Sequence, residues 1–132
     1  GRYKFQKHLC GYVPDLKNNG EEFECAKVID ANTAVKFWVR NVDRDPHAFK
    51  FQTATDYFYP DFYCELEDGR GLLVEYKGDP YKTNDDSREK NQIGHQWEES
   101  GGGKWLYMMA VKEDGQGRDV ARQIEDKIAG RS

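Results

Sequence analysis

The chain has 132 residues, of which 37% are hydrophobic and 33% charged, and its net charge at pH 7 is −4. A chain of this length supports one modest hydrophobic core, so we expect a single domain spanning residues 1–132. The acidic balance argues against a protein that coats nucleic acid without specificity. It does not exclude a nuclease, because a nuclease centre is itself acidic and its basic contacts are local.

The sequence also argues against membrane proteins and zinc-binding proteins. It has no apolar run long enough to cross a bilayer, so we expect no membrane association. Its three cysteines are far apart and form no CxxC pair, and its three histidines show no metal-binding spacing. This usage predicts free thiols and a reducing, cytoplasmic location.

The N-terminal third of the chain predicts an irregular arm, a helix and a strand. The arm covers residues 2–19, which mix aromatic, basic and turn residues. Asn19 is predicted to cap the helix, with Glu22 at the spacing of a capping box, and the helix ends near Ala31. The strand covers residues 35–41, which are rich in β-branched and aromatic side chains.

The rest of the chain alternates strand-like and helical patterns. The predicted elements are a second strand or extended segment at 47–53, a hairpin of strands at 57–67 and 70–77, a helix at 87–99, a strand at 104–112 and a helix at 117–129. An antiparallel meander followed by a helical crossover predicts an α/β protein of the α+β type, with a mixed sheet flanked by helices.

The hairpin carries three charged residues, Asp61, Glu75 and Lys77, among aromatic and aliphatic neighbours. Charged side chains rarely lie inside such strands without a partner or a chemical task. Side chains alternate along a strand, so Glu75 and Lys77 share a face. One interpretation is an exposed sheet face on which the three form salt bridges; the other is a reactive centre.

The length of the hairpin loop decides whether Asp61 joins that face. A two-residue loop at 68–69 places Asp61 opposite Tyr76, on the other face. A three-residue loop at 67–69, with Gly69 in the left-handed conformation, places Asp61 opposite Glu75, with β-carbons about 5 Å apart. This longer loop pairs Leu66 with Arg70. It is favoured because the same register segregates the apolar residues on the other face, where Phe62 pairs with Val74 and Cys64 with Leu72.

Two carboxylates this close repel each other in a setting of low dielectric constant. A divalent cation relieves that repulsion, and oxygen ligands suit Mg²⁺, for which Mn²⁺ is a substitute. An amine such as Lys77 beside the cation can orient a water or neutralise charge on a phosphorus centre. The three residues therefore predict phosphodiester hydrolysis.

These residues resemble the motif of the PD-(D/E)XK nuclease superfamily, with Pro60-Asp61 on one strand and Glu75-Tyr76-Lys77 on the next. The run from FQKHL through CAKVID, VKFWVRN and YPD to EYKG is similar to the C-terminal endonuclease domain of the cutting subunits of type III restriction enzymes. The resemblance covers residues 3–112. It implies a restriction-endonuclease-like αβββαβ core with flanking helices.

The resemblance also implies roles for individual residues. Asp61 and Glu75 would bind Mg²⁺ through their carboxylates, with the Tyr76 carbonyl as a further ligand. Lys77 would be the catalytic lysine. Glu22 falls where the family has an acidic residue facing the site from the first helix, and a purely capping role for it stays equally open.

Basic and amide residues after the third strand of that core are candidates for DNA contacts. The resemblance places Lys90 near the scissile phosphate, with Gln92 and Gln96 behind it. Lys82 and Arg88 flank the site and are candidate phosphate contacts, although loops commonly carry such charges. For Lys90 as well, an ordinary solvated lysine is the alternative.

The function that follows is a magnesium-dependent DNA endonuclease. The resemblance implies that the chain is one domain of a larger system, with a fused or associated ATP-dependent helicase or translocase and a modification or recognition subunit as partners. Two alternatives stay open. One is a non-catalytic docking module for nucleic acid or protein on the same fold. The other is an RNA nuclease or structure-specific nuclease.

Overall fold

The computed structural model describes residues 5–8, 20–41, 51–52, 57–58, 60–78 and 85–131. Its elements, in chain order, are α1 (Glu21–Ala31), β1 (Val35–Arg40), β2 (Phe51–Gln52), β3 (Tyr57–Phe58), β4 (Phe62–Leu66), β5 (Gly71–Gly78), α2 (Asp85–Ser100), β6 (Trp105–Val111) and α3 (Val120–Ala129). In these ranges, none of the helices has the length and apolar character that crossing a membrane requires.

Four strands form one mixed sheet in the order β1-β4-β5-β6. The first three are antiparallel neighbours, and β6 pairs parallel to β5 after a crossover through α2. β2 and β3 pair with each other in a separate two-stranded sheet. The elements of the main sheet and its helices therefore follow the order αβββαβ, with α3 at the end, and the predicted fold class is confirmed.

The hairpin between β4 and β5 has the predicted three-residue loop. The Leu66 N–H donates to the Arg70 carbonyl at 2.8 Å, and Gly69 has a φ of 91°, which favours glycine. The apolar pairs are also as predicted: Phe62 lies opposite Val74, and Cys64 lies opposite Leu72. The predicted strand at 57–67 was wrong at its start, because Tyr57–Phe58 belongs to the small sheet. Pro60, which has no N–H to donate, precedes the start of β4.

The two faces of the sheet are covered by different helices. α1 and α3 cover one face, and the side chains of α1 buried there include Phe23, Ala26 and Ile29. α2 covers the other face, where Trp97 packs on Tyr107 and Leu73. Gly94 brings α2 close to the sheet, since a β-carbon at that position would lie 2.5 Å from the Tyr107 ring. Helices on both faces leave the ends of the strands as the place for a site.

The closing helix starts later than predicted. α3 begins at Val120 because the Asp119 side chain caps it, accepting from the Arg122 N–H at 2.9 Å. Its Gln123 closes part of the free edge of β6: its side chain accepts from the Val111 N–H at 3.0 Å and donates to the Val111 carbonyl at 2.7 Å. A side chain thus replaces the missing neighbouring strand at that position.

Candidate active site

Asp61 and Glu75 meet at one end of the sheet. Asp61 follows Pro60 immediately before β4, and Glu75 lies near the end of β5. The Tyr76 N–H donates to the Asp61 Oδ2 at 2.8 Å, which fixes the Asp61 carboxyl against β5. A side-chain hydrogen bond joins the carboxyls of Asp61 and Glu75. The structure therefore brings together the two acids that the three-residue loop predicted to lie opposite each other.

The surroundings of this pair strongly raise the pKa of Glu75. Burial, the hydrogen bond to Asp61 and the negative charge of Asp61 raise the pKa of Glu75 to about 10, while the positive charge of Lys90 opposes the shift. A raised pKa of this origin means that Glu75 holds its proton at neutral pH.

Glu22 lies at the margin of the same cluster, but not as a capping glutamate. The predicted capping box is wrong, because the helix N-cap is Gly20 without a side-chain cap; Asn19 lies outside the described residues. Glu22 instead places its Oε1 2.7 Å from the Arg40 Nη2. Burial and the charge of Asp61 raise the pKa of Glu22, and Arg40 opposes this.

Arg40 is the residue that the sequence did not identify. Its side chain is 20% exposed, and its Nη1 lies 3.7 Å from the Asp61 Oδ1. The same Nη1 donates to the carbonyls of Asn41 at 2.6 Å and Asp61 at 3.1 Å. The Arg40 Nε is buried and makes no hydrogen bond within the described residues. Arg40 thus stands between Glu22 and Asp61.

Lys77 lines a cleft of about 490 Å³ whose lining includes neither Asp61 nor Glu75. The cleft is lined by residues of α2, such as Asn91, and of α3, such as Gln123, so it borders both helices. The pairing of β5 with β6 shifts between Tyr76 and Gly78, which makes Lys77 the extra residue of a bulge. Among the described residues, no carboxylate forms an ion pair with Lys77, which argues against the salt-bridged exposed face.

The residues predicted to contact DNA differ in their burial and in their approach to the acid pair. Lys90 is half-buried, and its charge acts on Glu75, so it approaches the acid pair. Arg88, Gln92 and Gln96 are exposed on α2. Lys82 lies outside the described residues. Lys90 is therefore the α2 residue whose placement agrees with a role at the acids.

The donors at this position fit a hard divalent cation. Asp61 and Glu75 supply adjacent carboxylates, and the resemblance implies the Tyr76 carbonyl as a further oxygen ligand. Burial first, and then Asp61, raises the pKa of Glu75, and a bound cation would oppose that shift. Across the described ranges, no group of three or more His, Cys, Asp or Glu side chains is arranged to hold a metal ion. The set implied by the resemblance needs two such side chains and one carbonyl, so its donor types are present.

Comparisons with known proteins found no match among protein-family models, curated proteins or solved structures.

Proposed function

We propose that this chain is a metal-dependent DNA endonuclease domain, the cutting module of a type III restriction-type enzyme. The observation that carries the proposal is the hydrogen-bonded pair of Asp61, immediately before β4, and Glu75 of β5, with Lys77 two residues further along β5. An acid pair of this kind lowers the stability of the folded protein, and a ligand bound by the two acids would explain its presence.

Each residue has a defined task in this proposal. Asp61, Glu75 and the Tyr76 carbonyl would hold Mg²⁺ or Mn²⁺, which supplies Lewis-acid stabilisation of the negative charge on the phosphate. Lys77 orients the attacking water and offsets charge at the phosphorus. Lys90 binds a phosphate oxygen next to the acids. The tether of Asp61 to the Tyr76 N–H keeps the acids in place for this chemistry.

The wider context of the proposal comes from the sequence resemblance. It supports DNA as the substrate, a fused or associated ATP-dependent helicase or translocase, and a modification or recognition subunit. Free cysteines support a cytoplasmic location: within the described residues, Cys25 and Cys64 are both unbridged and buried.

Metal binding is the first test, because it does not depend on a motor domain. Titration of the chain with Mn²⁺ in a calorimeter should give a binding signal that Asp61→Asn and Glu75→Gln both remove. Lys36→Ala, at an exposed position of β1, is the matched control and should bind like the parent chain. If both acid substitutions leave the Mn²⁺ binding signal unchanged, the proposal is overturned and a docking module is favoured.

DNA cleavage is the second test. Supercoiled and linear DNA are incubated with Mg²⁺ or Mn²⁺ and the parent chain, Lys77→Ala or Lys36→Ala. We expect Lys77→Ala to reduce the rate of nicking on the order of 100-fold and Lys36→Ala to leave it unchanged. Competition with RNA and with single-stranded DNA distinguishes a DNA endonuclease from an RNA or structure-specific nuclease. Equal rates for the two lysine variants would remove Lys77 from the mechanism.

A further inference from the structure

The guanidinium of Arg40 divides the acidic cluster into two parts. Glu22 is in close contact with it, with 2.7 Å between the Glu22 Oε1 and the Arg40 Nη2. Asp61 is farther from it, since its Oδ1 lies 3.7 Å from the Arg40 Nη1. The Asp61 carboxyl also contacts the Tyr76 N–H and Glu75. Glu22 is therefore the acid that the guanidinium approaches more closely, and its Oε1, which contacts Arg40, makes no hydrogen bond within the described residues.

Arg40 is held in place by atoms that do not depend on the carboxylates. Its Nη1 donates to the main-chain carbonyls of Asn41 and Asp61, at 2.6 Å and 3.1 Å. Main-chain carbonyls at the end of a strand cannot follow a carboxylate that turns towards a cation. The Asn41 N–H in turn donates to the Asp61 carbonyl at 2.8 Å, which ties β1 to the start of β4. Arg40 therefore stays beside Glu22 when the Asp61 carboxylate turns towards a cation.

The charge count of the cluster agrees with this division. With all three acids ionised, three carboxylates and one guanidinium carry a formal charge of −2, which a single divalent cation neutralises. The geometry agrees as well: in the part of the chain that the structure describes, Glu22, Asp61 and Glu75 do not form a three-acid group able to hold a metal ion.

We infer that Arg40 is a built-in cation that keeps Glu22 out of the ligand set and limits the centre to one divalent ion, held by Asp61 and Glu75. This inference rests on the proposed function, because it presupposes that the acid pair binds a cation. It assigns Arg40 a positioning role, since Arg40 acts through Glu22 and the Asp61 main chain. Under this inference Glu22 supplies no ligand, which differs from the direct role that the resemblance implies for it.

The inference is tested by counting bound ions. Mn²⁺ is titrated calorimetrically into the parent chain, Glu22→Gln, Arg40→Lys, Arg40→Gln and Asp61→Asn, each checked for folding by circular dichroism. We expect one ion per chain in the parent and in Glu22→Gln, with affinities within about twofold, because Glu22 supplies no ligand. Asp61→Asn should weaken binding by about tenfold or more, because it removes a charged ligand.

The two Arg40 variants form a matched pair that differs in charge. Arg40→Lys keeps a cation beside Glu22, so its stoichiometry should stay at one. Arg40→Gln leaves Glu22 and Asp61 without a cation between them, so a second ion should bind. The inference is overturned if Arg40→Gln still binds one ion per chain. It is also overturned if Glu22→Gln lowers the affinity for Mn²⁺ as much as Asp61→Asn does.

The proposed function fails in a different way, through binding that is unaffected by Asp61→Asn. If Arg40→Gln does not fold, the Glu22→Gln titration decides the inference alone.

Discussion

Glu75→Gln should make the metal-free protein more stable at neutral pH, although it removes a residue of the candidate site. The folded protein raises the pKa of Glu75 from 4.5 to about 10, mainly by burial and then through Asp61. The unfolded chain releases this proton at the ordinary value, so the folded state binds more protons than the unfolded state between the two values. Stability from this group is complete below pH 4.5 and is lost as the pH rises towards 10.

The size of the effect at pH 7 depends on the unfolded chain rather than on the folded value. Roughly 2.5 pH units separate the ordinary pKa from pH 7, and each unit is worth about 1.4 kcal/mol, so retaining the proton costs about 3.5 kcal/mol at most. Glutamine carries no ionisable proton, and its amide can still donate to Asp61. Glu75→Gln should therefore be more stable than the parent chain at pH 7 by up to about 3.5 kcal/mol.

Urea unfolding in the presence of a chelator measures this difference. We expect the free energies of unfolding of the two proteins to agree near pH 4.5 and to diverge steadily up to pH 8, with the parent chain declining more steeply. Adding Mg²⁺ at pH 8 should stabilise the parent chain and not Glu75→Gln, because only the parent binds the cation through both acids. Two parallel stability curves over this pH range would refute the reasoning.

Three further substitutions test the packing that positions the site. Gly94→Ala should lower stability by about 1–3 kcal/mol in thermal unfolding, because the new β-carbon would lie 2.5 Å from the Tyr107 ring. This loss outweighs the higher helix propensity of alanine. Unchanged stability would contradict the close packing of α2 against the sheet. Gln123→Ala should lower the free energy of unfolding in urea by about 2–4 kcal/mol, because both hydrogen bonds to Val111 are lost. Hydrogen exchange of the Val111 amide should become faster for the same reason. Slow exchange would contradict the role of Gln123 at the edge of β6. Gly69→Ala should cost about 1 kcal/mol by the same measurement and Gly69→Asn less, because asparagine tolerates a positive φ better; equal costs would count against the turn.

The meeting of Asp61 and Glu75 was predictable because a hairpin is a local structure. A short loop and the alternation of side chains fix which residues lie opposite each other, and the segregation of apolar pairs selected one loop from two. The structure has that register, with Phe62 opposite Val74. The same reasoning failed at Tyr57–Phe58, where pattern alone did not show that the chain leaves the sheet before Pro60.

Arg40 was not predictable by the same route, because its position depends on a distant pairing. Arg40 lies opposite Phe62 across the β1–β4 ladder, and 21 residues separate it from Asp61 along the chain. Neither the register of that ladder nor the start of α1 at Glu21 follows from local spacing. The capping box was therefore a reasonable prediction for Glu22, and only the fold shows that a strand residue engages it.

The bulge at Lys77 separates the acids from the amine in a way that alternation alone does not suggest. Glu75 lies opposite Met109 within the regular β5–β6 ladder, one residue beyond the last β4–β5 pair at Val74. The shift in pairing falls only after Tyr76, whose N–H is also the one that holds Asp61. Bulges of this kind re-aim a side chain without disturbing the strand before it. The β5–β6 ladder thus holds Glu75, whereas Lys77 follows the point at which the pairing of the two strands shifts.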